Sequence, residues 1–211
     1  MSSDASLSST LLPLVGVIVG AGITWIRDMW AQRTMRSRNA HYFALRVVCL
    51  LDRYIEDCAT VAEDDGSSPD QKNEHECSHP RTDLPAAPVF PTDLDWKSID
   101  QRIVYKLVSM ENEATRAKWM ISGAEENAFP PDYAEAFEER RYQYARLGLS
   151  ALTLAQELRA KYEIQAPEYG YWVPADRLTA AKNEIETYRK KRASALDDLL
   201  PPAPPVHQPA A

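Results

Sequence analysis

The chain has 211 residues, 45% of them hydrophobic, and a formal net charge of −7. This length suits one ordinary domain and excludes two, and an acidic chain without a basic face argues against nucleic acid as a partner. Three cysteines, Cys49, Cys58 and Cys77, are an odd number that suits free thiols in a reducing compartment.

The first predicted element is an uncharged apolar run from Leu11 to Ile26. With its flanks, residues 10–30 approach the ~20 residues that a transmembrane helix needs. No Lys or Arg precedes the run and no small-residue cleavage site follows it, so an anchor is predicted in preference to a signal peptide. By the positive-inside rule, residues 1–9 lie outside and the remainder is cytoplasmic, as in a single-pass protein of the plasma (inner) membrane. The basic residues behind this orientation are Arg27, Arg33, Arg36 and Arg38.

Two glycines within the run, Gly16 and Gly20, have the spacing of a Gly-x-x-x-Gly motif. Small residues at this spacing allow two helix backbones to approach closely, which predicts a transmembrane dimer face and a homo-oligomer. The alternative is that these glycines reflect only the general frequency of glycine in transmembrane helices.

Four helical segments follow from the periodicity of apolar residues. The first continues from the anchor through a polar neck (residues 31–41) to Ala62. The second starts at Ser98 with a capping box to Gln101, the third covers about 132–164, and the fourth has Asp176 as its N-cap. The predicted apolar stripes are Ala44, Val47, Val48, Leu51, Ile55, Cys58 and Ala62; Ile99, Ile103, Leu107, Met110, Ala114, Ala117 and Ile121; Tyr133, Phe137, Tyr144, Leu147, Ala151, Leu154 and Leu158; and Leu178, Ala181, Ile185, Tyr188, Ala195 and Leu199.

These segments predict an all-α fold in which a single N-terminal transmembrane helix continues into a cytoplasmic up-down four-helix bundle. The bundle comprises residues 31–62 and 98–200. Residues 63–97 are an acidic, proline-rich loop that we expect to be partly disordered, and residues 201–211 form a disordered proline-rich tail.

A basic run near the end of the fourth helix contains Arg189, Lys190, Lys191 and Arg192. In an up-down-up-down bundle this run returns to the membrane and, with the arginines of the neck, predicts a basic collar that contacts anionic lipid. The alternative is that cations are simply favoured near a helix C-terminus.

Signals for catalysis are weak. His75, Cys77 and His79 alternate and could offer three metal ligands, but they match no familiar closed zinc site, and a solvated loop is the preferred interpretation. A di-iron bundle needs Glu-x-x-His on facing helices, and none is present. Phosphate-binding and nucleophile-elbow motifs are absent too. The sequence therefore predicts neither an enzyme nor a cofactor.

An aromatic turn with Tyr169, Tyr171 and Trp172 lies between Pro167 and Pro174. Tyr and Trp are common in binding hot spots, which predicts a docking site for a protein partner. The alternative is that the cluster closes the end of the bundle core. A Trp172→Ala variant separates the two, since it either unfolds the protein or only weakens binding.

Taken together, these features predict a membrane-anchored helical scaffold or adaptor that acts by protein–protein interaction at the cytoplasmic face. The alternative is a membrane-perturbing effector or exclusion factor that oligomerises through its span. Membrane depolarisation that depends on Gly16 and Gly20 would favour this effector. An enzyme that uses His75, Cys77 and His79 is a third and weaker hypothesis.

Overall fold

The computed structural model describes residues 4–66, 78–130 and 133–199, without the side chains of residues 4–23, 26, 197 and 199. The elements are α1 (Asp4–Ala62), a 3-10 helix (Trp96–Ser98), α2 (Gln101–Asn127), α3 (Ala134–Tyr162) and α4 (Pro174–Leu199). Within the described ranges there are four α-helices and no strand. The predicted all-α class is confirmed, and the arrangement is consistent with a helical bundle.

Two predicted helix starts need correction. The N-cap of α2 is Asp100, whose side chain accepts a hydrogen bond from the backbone N–H of Arg102 at 2.8 Å. The predicted cap, Ser98, instead donates to the carbonyl oxygen of Asp95 and belongs to the preceding 3-10 helix. Similarly, α4 begins at Pro174, where the fixed φ of proline suits a first helical turn, and Asp176 lies inside that turn.

The predicted stripes of α1 and α2 are confirmed, because all their residues are buried in the core. The stripe of α3 is buried from Phe137 onward, whereas Tyr133 is half-buried. In α4 burial ends at Ile185, and Tyr188 and Ala195 are exposed. The second half of α4 therefore extends beyond the core, which the periodicity of its sequence does not reveal.

The direction of the helices differs from the predicted up-down-up-down order. Helix α3 is central and packs against α1, α2 and α4. It runs antiparallel to each of them. Against α1, Arg141 near the start of α3 donates to the Ala62 carbonyl oxygen, while Arg159 near its end pairs with Asp52. The contacts of α3 with α2 (Gln143 with Met120, Glu157 with Lys106) and with α4 (Glu138 with Arg189, Arg141 with Glu184) have the same antiparallel order. Helices α1, α2 and α4 consequently run in the same direction, and the predicted order is wrong.

The segment of residues 78–95, called the connector below, explains this arrangement. It starts beside the end of α1, where Arg81 contacts Asp64, and finishes beside the neck, where Asp95 contacts Asn39. Arg46 of α1 pairs with Asp93 on the way, at 2.7 Å. An extended chain of this length reaches roughly 55 Å at ~3.3 Å per residue. The connector therefore returns the chain to the neck, so that α2 starts again parallel to α1.

Among the residues whose side chains are described, no helix is long and apolar enough to cross a membrane. Residues 10–23 and 26 of the predicted anchor, including Gly16 and Gly20, lie outside that set, as does the tail at 201–211. The anchor and its dimer face stay predictions.

Candidate functional site

The structure does not bring the two predicted groups of lipid-contacting residues together. Arg27, Arg33 and Arg38 are exposed on α1, and Arg27 forms an ion pair of 3.9 Å with Asp28. Arg36 is also exposed and donates to the carbonyl oxygen of Lys97 at 2.9 Å. Arg36 thus connects the neck to the 3-10 helix that precedes α2.

The basic run of α4 lies at the other end of the molecule. Arg189 pairs with Glu138 and Glu139, both at 2.6 Å, at the start of α3 and close to the end of α1. Burial opposes the charge of Arg189, but its bonds to the two carboxylates outweigh this and raise its pKa. Glu138 lies one turn before Arg141, which contacts the end of α1 at Ala62. Arg38 is therefore roughly 40 Å from Glu138 along the direction of α1, at ~1.5 Å per residue. A single collar is therefore ruled out for this helix order, and Lys190, Lys191 and Arg192 lie with Arg189.

The aromatic turn packs along α1 between residues 52 and 63. Trp172 donates from its indole nitrogen to Glu63 at 3.0 Å and packs against the core. Burial raises the pKa of Tyr169 to about 12, and the nearby carboxylates of Glu56 and Asp52 add to this. Tyr171 is 97% exposed. Two of the three aromatic residues thus have structural contacts, and only Tyr171 projects freely.

Of the three candidate metal ligands, only His79 is described, and it is exposed. His75 and Cys77 lie outside the described residues. Elsewhere in the described ranges, no group of three His, Cys, Asp or Glu side chains is arranged to hold a metal ion.

A buried polar cluster joins the end of α1 to the connector and to α3. Asp64 is 2% exposed and accepts hydrogen bonds from the backbone N–H groups of Gly66, Arg81 and Thr82, at 2.8 to 3.2 Å. Burial favours the neutral acid, but these bonds and the guanidinium of Arg81 outweigh it and lower the pKa of Asp64. Arg140, which is buried too, donates to Asp64 and to the carbonyl oxygen of Thr82. The sequence places Asp64 in an acidic loop that we expected to be partly disordered, so the sequence prediction missed this cluster.

An apolar groove, called the α2 groove below, lies on the surface between α2 and the connector. It consists of two adjoining depressions of about 590 and 540 Å³ that share Trp96 and Val108. Its apolar lining comprises Ala86, Ala87, Pro88, Val89, Phe90 and Trp96 from the connector side, and Ile99, Val104, Tyr105, Leu107, Val108 and Ala114 from α2 and its start.

The groove exists because α2 packs on one face only. Its buried side contacts α3, and on its flank it meets an extended, proline-rich chain in place of a fourth helix. An extended chain fills less volume than a helix, so part of α2 stays uncovered. Tyr105 is 75% exposed and Val108 is 58% exposed as a result.

The floor of the groove is rigidly built. Trp96 contacts Phe43 of α1 edge-on, with ring centroids 5.0 Å apart, and Phe90 of the connector at 6.0 Å. Such edge-to-face pairs contribute about 0.5–1.5 kcal/mol each beyond the area they bury. The indole is therefore held in place before any partner arrives.

The residues that line the groove carry a net positive charge, whereas the chain as a whole has a net negative charge. Arg36 and Lys97 line one end and Lys118 lines the other, with Glu111 between them. Three cations against one carboxylate make a locally basic, apolar surface on an acidic protein.

Sequence reasoning did not find this groove, although a signal exists. Tyr105, Val108 and Trp119 are large apolar residues on one side of α2, outside the stripe that faces the core, and they share that side with the polar Asn112 and Thr115. All three side chains are more than half exposed. Three large apolar side chains exposed on one side of a helix point to an additional contact.

Comparisons with known proteins add no assignment: no family model, no curated protein and no solved structure matches this chain significantly. Fold and surface define a helical protein with an open apolar groove and no metal cluster among its described residues.

Proposed function

We propose that this protein is a helical scaffold or adaptor, tethered to a membrane by residues 10–30 and acting through a protein partner that docks in the α2 groove. The observation that carries the proposal is the groove itself, with its exposed Tyr105 and Val108 above a fixed Trp96. Exposed apolar patches with a polar rim are typical of protein interaction sites.

The chemistry of the lining defines the partner. An amphipathic helix can fill a groove of this kind with apolar residues spaced by three or four positions. Arg36, Lys97 and Lys118 on the rim favour a segment with acidic residues at its edges. The partner is therefore a protein segment that is apolar on one face and acidic beside it.

The tether rests on the sequence of Leu11 to Ile26, with arginines on its C-terminal side only. With this tether, we expect the groove at the cytoplasmic face of the membrane, close to the neck. Fractionation checks this independently: the intact chain is expected in the membrane fraction after a carbonate wash, and recovery in the soluble fraction would refute the tether.

Site-specific photocrosslinking tests the groove. A benzoylphenylalanine at position 108 in the full chain is expected to crosslink to one protein, through a peptide that is apolar on one face and flanked by acidic residues. The matched control carries the same probe at position 179, where Thr179 is exposed on α4 away from the groove. Loss of the adduct on Lys97→Glu and Lys118→Glu supports the proposal; equal labelling from both probe positions refutes it.

A further inference from the structure

The part of α1 that precedes the bundle is exposed on every side. Residues 30–39 are all exposed. The hydrogen bonds described between this segment and the rest of the chain are made by Arg36 and Asn39. Isolated helices of such length are marginal in water, because most helical stability in proteins comes from tertiary packing. Within the described part of the chain, the neck therefore gains little stabilisation from tertiary packing.

An apolar stripe follows one side of this helix into the bundle. Met35, Tyr42, Leu45 and Cys49 are exposed, with Met35 at 59% and Leu45 at 44%. Together with Ala31 and Arg38, these residues are separated alternately by four and three positions, which is the spacing of a coiled-coil seam.

The stripe faces directly away from the core of its own chain. At 100° per residue, Tyr42, Leu45 and Cys49 lie opposite the buried Ala44, Val47 and Leu51. A second helix can thus pack on the stripe without moving any element of the bundle.

The occupant that fits best is the same stripe of a second copy. Helix α1 is continuous from Asp4 to Ala62, so Gly20 and Ala31, separated by three turns, lie on the same side of it. The predicted dimer face of the span and the stripe of the neck thus form one seam. Two chains tethered to one membrane run parallel, which aligns each residue of the seam with its own copy.

We propose that two copies associate in parallel along α1, through the seam of Ala31, Met35, Arg38, Tyr42, Leu45 and Cys49. This inference is independent of the α2 groove, and its parallel orientation rests on the proposed tether. The pairing brings Cys49 of the two copies together. It also places Arg38 against Arg38, a like-charge contact that weakens the dimer.

Cysteine crosslinking in native membranes tests the seam. The full chain with Cys77→Ser leaves Cys49 as the exposed thiol, since Cys58 is buried. Mild oxidation is expected to give a covalent dimer that disappears with Cys49→Ser. A crosslink to a protein of another size would identify a different occupant and overturn the proposal.

Orientation is tested in the Cys49→Ser, Cys77→Ser background. Tyr42→Cys is expected to restore the covalent dimer, because position 42 faces itself only in a parallel pair. The matched control is Arg33→Cys, an exposed position on the opposite side of the neck, which is expected to give no dimer. If Cys49 forms a dimer but the Tyr42→Cys variant does not, the contact is antiparallel or collisional and the parallel seam is refuted.

The like-charge contact supplies a third readout. Arg38→Leu is expected to raise the crosslinking rate at Cys49 about threefold or more, because it removes a repulsion across the seam. Unchanged crosslinking on Arg38→Leu would contradict the register. Lys118→Glu, which weakens the α2 groove, is expected to leave this crosslink unchanged, so that the two proposals can fail separately.

Discussion

At the scale of single residues, charges that the sequence shows only as acidic or basic have very different environments. Asp64 and Arg140 are buried together, whereas the neighbouring Asp83 is exposed. Removing one partner of a buried charged pair destabilises the fold, because the other charge stays buried without an opposite charge beside it. The cluster around Asp64 is consequently an electrostatic link that joins α1, the connector and α3 at one point.

Replacing Asp64 by Asn is expected to lower the free energy of unfolding by about 2–4 kcal/mol at pH 7. The native pKa of Asp64 is lowered, so its carboxylate stabilises the fold fully above the ordinary pKa of about 3.9. This stabilisation is lost as the pH falls below that value and through the native pKa. Urea denaturation at pH 7 and near pH 3 measures the difference, which should shrink at the lower pH. The control Asp83→Asn should change stability by less than about 0.5 kcal/mol.

In the aromatic turn, two alanine substitutions at neighbouring residues can be compared in the same way. Trp172→Ala is expected to cost about 1–3 kcal/mol, because the indole packs against the core and bonds Glu63. Tyr171→Ala should change stability by less than about 0.5 kcal/mol, because its side chain is 97% exposed. Thermal denaturation followed by circular dichroism measures both. Equal effects would argue against the structural role of Trp172.

At the scale of elements, α1, α3 and α4 pack closely around Gly148. A Cβ atom added at Gly148 of α3 would come within 2.7 Å of Leu178 and 2.9 Å of the Cβ of Cys58. Glycine therefore sets the spacing of three helices at this point, whereas Gly123 in α2 has nothing within 4 Å of such an atom.

We expect opposite effects from the same substitution at these two sites. Gly148→Ala should destabilise the protein by about 1–3 kcal/mol, because overpacking outweighs the better helix propensity of alanine. Gly123→Ala should stabilise it by about 0.5–1 kcal/mol through that propensity alone. Chemical denaturation of both variants provides the measurement, and a stabilising Gly148→Ala would contradict the close packing.

At the scale of the whole molecule, the connector decides which ends of the helices meet. Short connections make neighbouring helices antiparallel, but a connector that spans the length of the bundle does not. Because it does so here, the basic run of α4 lies beside Glu138 and Glu139 and far from the neck.

Distance measurement checks this order. Spin labels on Arg38→Cys and Arg192→Cys, in a Cys49→Ser, Cys77→Ser background diluted with unlabelled chain, should lie about 40 Å or more apart. The predicted collar would instead require a separation below roughly 20 Å, and such a value would refute the parallel arrangement of α1 and α4.

The amino-acid sequence by itself determined the helical class, the extent of α1 up to Ala62 and the buried faces of α1 and α2. These features follow from local rules, because a stripe such as Ile103, Leu107 and Met110 needs only the 3.6-residue period to be recognised. Helix direction, the burial of Asp64 with Arg140 and the α2 groove were decided only by the tertiary structure. Each depends on contacts between residues far apart in the chain, such as Arg36 with Lys97 or Asp64 with Arg81, and no local period encodes where a long extended connector leads.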